Sequence, residues 1–570
     1  MASLACFDEP LADSPDSPLT STPPARPRLL PALRWARLAL VLLLAFTLLR
    51  GAVWAMTYPS FYGGDEDYHY LYIEHLTTQH SLPSRDEPLY PEEYVLGTNA
   101  MNYNAYGFGP RTDFSGDPHA TTRELEVTDE FREPIYEGRG VGVVHPPLYH
   151  LAGWAVNASL GDASFFTRYA AIKWMSSVFG VLLVYAAWLL AAQVFRREPL
   201  RLLVAFLVAV QPVIALSSGI ANHDILLMAT FTLACAQMCF MLRTAPRVRQ
   251  GAWLGTAIVL ALLTKGSALA LIPLAGLVFL AQGLVHRERW RRAARSAGLA
   301  ALVVFAGAGW WYLRSLIVYD SATGFTGLQG TGQHAPATLA NLWDWAREWT
   351  GFTYRTYWFH HLFYEAPKGA IYYYVPLYAG FLGMLGVALA AVRRRRELLS
   401  AENPLLRQIV LLTAAALALY LGVMGTDIKH KIDGIGFNMV GGRYLLPAYA
   451  GVVTLLVVGL RELFRERAQP LVLAGLAALG GWFCWSVYGR NYLHRYYGPD
   501  DLGWQELFRR MSFDRPEFVT PTSLTVAMLL VFATLVAAVV CVAVGTRPPR
   551  RTALSARRAA PWRRRAPAKA

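Results

Sequence analysis

The stretch LALVLLLAFTLLRGAVWAM, residues 38–56, followed shortly by Gly63-Gly64-Asp65-Glu66-Asp67, decides how this chain is read. An apolar run of that length is enough to cross a bilayer, whose hydrocarbon core of roughly 30 Å takes about 20 residues of helix. Three consecutive carboxylates at the exit of such a helix need water, a partner or a task. The chain therefore reads as a membrane protein with an acidic feature at the end of its first span.

The rest of the sequence follows the same pattern. Of 570 residues, 54% are hydrophobic and only 16% are charged, and the mean hydropathy is +0.29. That composition excludes an ordinary soluble protein of this size. Apolar runs at about 38–56, 168–195, 200–220, 225–242, 251–264, 267–285, 297–314, 371–392, 405–424, 444–460, 470–488 and 521–544 predict an all-α polytopic membrane protein with about 12 transmembrane helices. The two runs between 251 and 285 meet at Thr264-Lys265-Gly266 and read as a helical hairpin.

Orientation follows from Lys and Arg. Basic groups crowd Arg26–Arg37, Arg196–Arg201, Arg243–Arg249, His286–Arg295, Arg393–Arg396, Arg461–Arg467 and Arg547–Lys569. Twelve spans put all of these, and both termini, on the cytoplasmic side of a plasma (inner) membrane. The formal net charge of +14 is then a topological signal and an attraction to anionic headgroups rather than a nucleic-acid footprint. A further crossing at 145–160 would invert every later loop, so His145–Leu160 is expected to lie in the interface. Residues 1–37 read as a disordered basic cytoplasmic tail with no cleavable leader, 38–544 as one transmembrane domain, and 545–570 as a second basic tail. Residues 57–165 and 315–370 form the large extracytoplasmic loops. The five cysteines suggest neither a disulfide framework nor a metal cluster.

Unusual polar residues gather on the face of Asp65: His69, His75, His145-Pro-Pro147, Asn222-His223-Asp224, Lys265, a Trp/Tyr-rich loop ending in His360-His361, and Gly441-Gly442-Arg443. Each has a plainer reading. Asp65 could cap the helix expected over Tyr68–Thr77, and Asp224 the next span. Lys265 and Arg443 could snorkel to the interface, and the aromatic loop could be an interfacial belt. Asn157-Ala158-Ser159 matches a glycosylation sequon, a pattern frequent by chance.

In their order, these motifs resemble the C-type membrane glycosyltransferases, which include protein O-mannosyltransferases and lipid A aminoarabinose transferases. The resemblance covers about residues 38–460. It rests on Asp65-Glu66 after the first span, Pro-Pro-Leu-Tyr (146–149), Asn-His-Asp (222–224), Leu-Leu-Thr-Lys-Gly (262–266) and Gly-Arg-Tyr-Leu-Leu-Pro (442–447). It implies transfer of a sugar from a polyprenyl-phosphate donor to an acceptor nucleophile, with Asp65 as general base. Glu66 would orient the acceptor or a metal, and Asp224 would serve as a second catalytic acid or metal ligand. Arg443, Lys265 and His145 would hold the donor phosphate. Several relatives use a divalent cation; here only weak Mg²⁺ or Mn²⁺ dependence is expected, because Asp224 stands beside an imidazole rather than a second acid. No large soluble domain follows Val544, which favours a lipid or glycan acceptor. Against a transporter or flippase stand spans nearly free of mid-helix charge and the absence of a repeat between halves. A non-catalytic partner in polysaccharide assembly would share these features.

Overall fold

The computed structural model describes residues 29–545, leaving out 85–91, 102–113, 116, 120–141, 324–335, 359–370, 434–440, 467, 487–493 and 499–501. Most of both expected tails, His360-His361 and parts of the two large loops lie outside the described residues. Among the described residues every regular element is a helix. This follows from the solvent: lipid offers no hydrogen bonds, so each spanning segment must satisfy its backbone internally.

Nine helices among the described residues are long and apolar enough to cross a membrane, running from Trp35–Thr57 to Pro521–Cys541. Three of the twelve expected runs fall outside these nine by length or hydropathy. The run 200–220 divides into Glu198–Ala209 and Pro212–Ser217, because Pro212 lacks the N–H and crowds the preceding turn. The Gln211 side chain closes the break by accepting from the Ile214 N–H at 2.7 Å. The run 251–264 is a 15-residue helix, Val248–Leu262, about 22 Å long at 1.5 Å per residue. Gln469–Ser486 reaches 18 residues but opens on Gln-Pro and closes on Trp-Phe-Cys-Trp-Ser, which dilutes its hydropathy.

The expected turn at Thr264-Lys265-Gly266 lies between Val248–Leu262 and the short 3-10 turn Gly266–Ala270. The interfacial segment is a 12-residue helix, Leu148–Ser159, about 18 Å long and too short to span. Its Tyr149, His150, Gly153 and Asn157 are buried, whereas Leu151 and Trp154 are exposed. Asn157 donates to Thr77 Oγ1 at 3.1 Å and is 3% exposed, so its side chain serves packing and not glycan attachment.

Two helices set the bundle's centre. Asp224–Met241 has 83% of its spanning window buried and packs against Phe165–Val194. By contrast Arg287–Tyr319 and Ile371–Arg393 have only 17% of theirs buried, and they present Phe305, Ile317 and Phe381 outward as lipid-facing surface. One end of the bundle is basic. There Arg243 donates to the Ala192 carbonyl, Arg407 to that of Leu242, and Arg393 and Arg394 grip Glu462 at 2.8 and 3.1 Å. Asp65 and Asp224 occupy the opposite end.

Ile371–Arg393 crosses Gly442–Leu463 at glycine. A Cβ on Gly386 would lie 2.0 Å from the Gly459 carbonyl oxygen, and one on Gly459 would lie 2.0 Å from that of Gly383. Small residues at such crossings let backbones approach and gain dispersion contacts. Gly459→Leu should therefore lower the thermal unfolding midpoint of the purified protein, with an overpacking cost of roughly 1–3 kcal/mol. An unchanged midpoint would mean that the two helices separate without loss.

Candidate active site

Asp65 stands just before the helix Glu66–Gln79 with φ of 66° and makes no capping hydrogen bond. The left-handed backbone turns its carboxylate away from the helix end, which removes the capping reading. Aspartate tolerates this region better than most residues. The carboxylate instead forms an ion pair with the Arg443 Nη2, and Arg443 also donates to the Gly64 carbonyl at 3.3 Å. Asp224 is likewise no N-cap. It is the first residue of its helix, and the local N-terminal contact comes from Asn222, whose Oδ1 accepts from the Asp224 N–H at 2.7 Å.

With capping left to Asn222, the Asp224 side chain is free to take Lys265. Nζ approaches Oδ1 at 2.6 Å, with both side chains under 10% exposed. Arg443 Nε lies 3.8 Å from Asp224 Oδ2, so this arginine faces both carboxylates. Tyr444 joins the pair of cations: Lys265 Nζ sits 4.1 Å above its ring, and Arg443 Nη2 donates to its hydroxyl at 3.2 Å. Two carboxylates and two cations, drawn from four distant parts of the chain, thus form one charge-balanced group. Asp65 is its accessible member, with a side chain 38% exposed against 6% for Asp224.

Glu66 takes a different part from the one expected. It is wholly buried, and its carboxylate oxygens accept from the Gly63 and Ala221 backbone N–H groups, both at 2.9 Å. Together with Asn222 Nδ2 donating to the Gly64 carbonyl at 2.8 Å, it ties the loop carrying Asp65 to the segment carrying Asp224. It is an internal brace rather than an acceptor contact.

His145 also departs from expectation. Burial, then the charge of Lys265, holds its imidazole down to about 3, so at neutral pH it brings no positive charge. It belongs to a group of four imidazoles, with its ring 4.4 Å from that of His223. His223 Nδ1 lies 2.8 Å from His69 Nε2, and His69 Nδ1 lies 2.9 Å from His150 Nε2. Burial foremost holds His69, His150 and His223 well below the ordinary histidine value, because a charged imidazole there would lack water and crowd the other rings. Sequence reasoning missed His150, whose only trace was its spacing of five from His145, and gave Tyr444 of the 442–447 motif no role.

The two proposed metal ligands do not suit a divalent cation. Glu66 is consumed by backbone donors and Asp224 by Lys265. Hard cations demand several oxygens free of competing positive charge. Among the described residues no three His, Cys, Asp or Glu side chains group as metal ligands.

The sequence matches the protein family described as predicted membrane protein (DUF2142) over residues 48–452. That is most of the chain. The protein belongs to this family. The matched region holds Asp65, Glu66, His145, Asp224, Lys265 and Arg443, and the protein is a multi-pass membrane protein. No curated protein sequence matches it. Among solved structures it is similar to ArnT from Cupriavidus metallidurans bound to undecaprenyl phosphate, at 15% identity over 90% of this chain and 75% of that one, with a TM-score of 0.44. It is also similar to the archaeal oligosaccharyltransferase AglB from Archaeoglobus fulgidus in complex with an inhibitory peptide and a dolichol-phosphate. There the identity is 15% over 91% of this chain and 57% of that one, with a TM-score of 0.38. A crystal structure of the Archaeoglobus oligosaccharyltransferase in complex with Zn and sulfate matches at 18% identity, covering 64% of this chain and 46% of that one, with a TM-score of 0.38.

The site gives stability a definite pH dependence. A histidine whose folded pKa is depressed stays neutral in the fold and protonates on unfolding, so its stability contribution is complete above its ordinary value and is lost as pH falls. For His145 that window runs from 6.5 down to about 3. For Asp65, burial opposes the shift, but Arg443 and Lys265 outweigh it and hold the carboxyl below its usual 3.8, adding a loss in stronger acid. The thermal midpoint in detergent should therefore fall continuously from pH 6.5 downward, and less steeply in His145→Gln. A flat profile across that window would contradict neutral imidazoles at the site.

Proposed function

We propose that the protein is a membrane glycosyltransferase that moves a sugar from a polyprenyl-phosphate donor to a lipid or glycan acceptor on the extracytoplasmic face, with both termini cytoplasmic. The observation that carries this reading is the position of Arg443 between Asp65 and Asp224, with Lys265 on the far side of Asp224. Two cations at the acidic end of the bundle suit a lipid-anchored phosphate, and the arginine fork matches its oxygens. The likeness to structures whose descriptions name undecaprenyl phosphate and dolichol-phosphate agrees in kind with this donor.

In this reading the donor phosphate takes Arg443 from Asp65. The carboxylate, relieved of its cation, regains ordinary basicity and faces the acceptor. The acceptor oxygen attacks the anomeric carbon, the bond from that carbon to the phosphate oxygen breaks, and the acceptor proton passes to Asp65. The leaving phosphate departs with the bonding pair, and its charge is met by Arg443 and Lys265. Asp224 holds Lys265 in place, and the neutral imidazoles leave the positive charge to those two residues. The resting Asp65–Arg443 pair thus keeps the base out of use until a donor arrives.

Asp65→Asn keeps the size of the side chain and removes the base, so transfer should fall on the order of a hundredfold or more. The readout is transfer in proteoliposomes supplied with either polyprenyl-phosphate sugars or nucleotide sugars, with retained folding checked by size exclusion. Arg443→Ala should weaken use of the lipid donor specifically. Turnover with nucleotide sugars alone, or full activity in both variants, would defeat the assignment.

A further inference from the structure

Arg443 is the second residue of a 3-10 segment, Gly442–Ala448, so the first turn of that segment sets where its guanidinium stands. The turn is seated on the helix Leu339–Trp358, which is not among the nine membrane-crossing candidates of the described residues. The Gly442 N–H donates to the Thr356 hydroxyl oxygen at 2.6 Å, and Thr356 is 3% exposed. The hydroxyl's own proton goes to the Phe352 carbonyl at 3.0 Å, which leaves the oxygen as acceptor for Gly442. A Cβ on Gly442 would come within 2.5 Å of the Thr353 carbonyl oxygen and the Tyr357 amide nitrogen. The two backbones are therefore in direct contact one residue before Arg443.

Three parts of the bundle hold the helix in turn. Trp349 Nε1 donates to the buried Asp427 at 2.6 Å, the Tyr354 hydroxyl to the Tyr373 carbonyl at 2.5 Å, and Gln211 Nε2 to the Tyr357 carbonyl at 2.6 Å. Asp427 belongs to Leu405–Ile432, Tyr373 to Ile371–Arg393, and Gln211 to the break before Pro212. The other end of the helix is open, with Leu339 and Trp343 largely exposed. A helix that only covered the bundle would bury an apolar stripe. This one buries Trp349, Thr353 and Thr356, and its bonds from residue 349 to 357 converge on the end that carries Gly442. Arg443 has to meet Asp65, the Gly64 carbonyl and Asp224 at once, and a misplacement of about 1 Å in such a group can cost on the order of a hundredfold.

We propose that Thr356 and Gly442 are positioning residues for Arg443: through them the helix Leu339–Trp358 holds the arginine where it faces both aspartates and can receive a donor phosphate. The phosphate in this statement rests on the transferase reading; the placement of Arg443 by Thr356 does not.

The test is a double-mutant cycle on the full chain in lipid nanodiscs, with Thr356→Val, Arg443→Ala and the two combined. Affinity for undecaprenyl phosphate and the thermal midpoint are both measured. Valine keeps the shape and removes the acceptor, so affinity should fall about tenfold, within the range for a buried N–H left unsatisfied. Thr356→Ser restores the acceptor and should recover most of that loss. In the Arg443→Ala background Thr356→Val should change the residual affinity by less than about twofold, and should lower the midpoint less than it does in wild type, because residues that act through one another are not additive. The same cycle with Gly442→Ala decides the matter if Thr356→Val does not fold. Where wild type binds undecaprenyl phosphate, affinity decides: an unchanged affinity in Thr356→Val, or an equal loss with and without Arg443, would overturn the proposal. A wild type that does not bind undecaprenyl phosphate would defeat the transferase reading alone. The midpoint cycle then decides the placement, and additive midpoints would overturn it.

Discussion

Charge neutrality in a medium that solvates charge poorly is the constraint on which the rest of this structure depends. Asp224 and Lys265 are both nearly inaccessible and 2.6 Å apart. Removing either partner of such a pair leaves a buried uncompensated charge, at a cost of about 3–5 kcal/mol. That penalty fixes the start of the central helix Asp224–Met241 against the turn after Val248–Leu262. Arg443 then joins the pair to Asp65, so the start of the helical region Gly442–Leu463 is placed by the same group of charges. Four segments far apart in sequence share one electrostatic anchor.

The anchor would be loose without uncharged support. Glu66 binds the Gly63 and Ala221 amides, and Asn222 binds the Gly64 carbonyl, so the loop after the first helix is stitched to the segment before Asp224 on both sides of Asp65. Arg515 closes the same region from the far end of the chain. It donates to the Met56 and Tyr58 carbonyls at 2.6 and 2.8 Å and to the Ser60 hydroxyl at 2.7 Å. What results is a rigid cradle in which Asp65 alone keeps substantial access to solvent. In the proposed chemistry that division matters: the accessible acid is the one that meets an acceptor, and the enclosed residues hold the phosphate-binding cations in position.

Hydropathy and the placement of Lys and Arg carry the fold class, because the length of an apolar run and the cost of burying basic groups are local properties of the chain. They also carried the acidic stretch at 65–67 and the residue types around Asp224, Lys265 and Arg443 into consideration. They did not carry the break at Gln211-Pro212, which depends on a cap and a buried centre rather than on hydropathy. Nor could they tell Asp65 from Glu66. Adjacent carboxylates look alike in sequence, and only the left-handed backbone at 65 and the waiting amides of Gly63 and Ala221 send one toward Arg443 and the other into the interior. The neutrality of His145 and its linkage to His69, His150 and His223 were equally invisible, because burial and neighbouring charge are set by segments hundreds of residues apart. Composition determined that this is a helical membrane protein with an acidic end; tertiary contact decided which of its charges face each other, because pairing energies act through space and not along the chain.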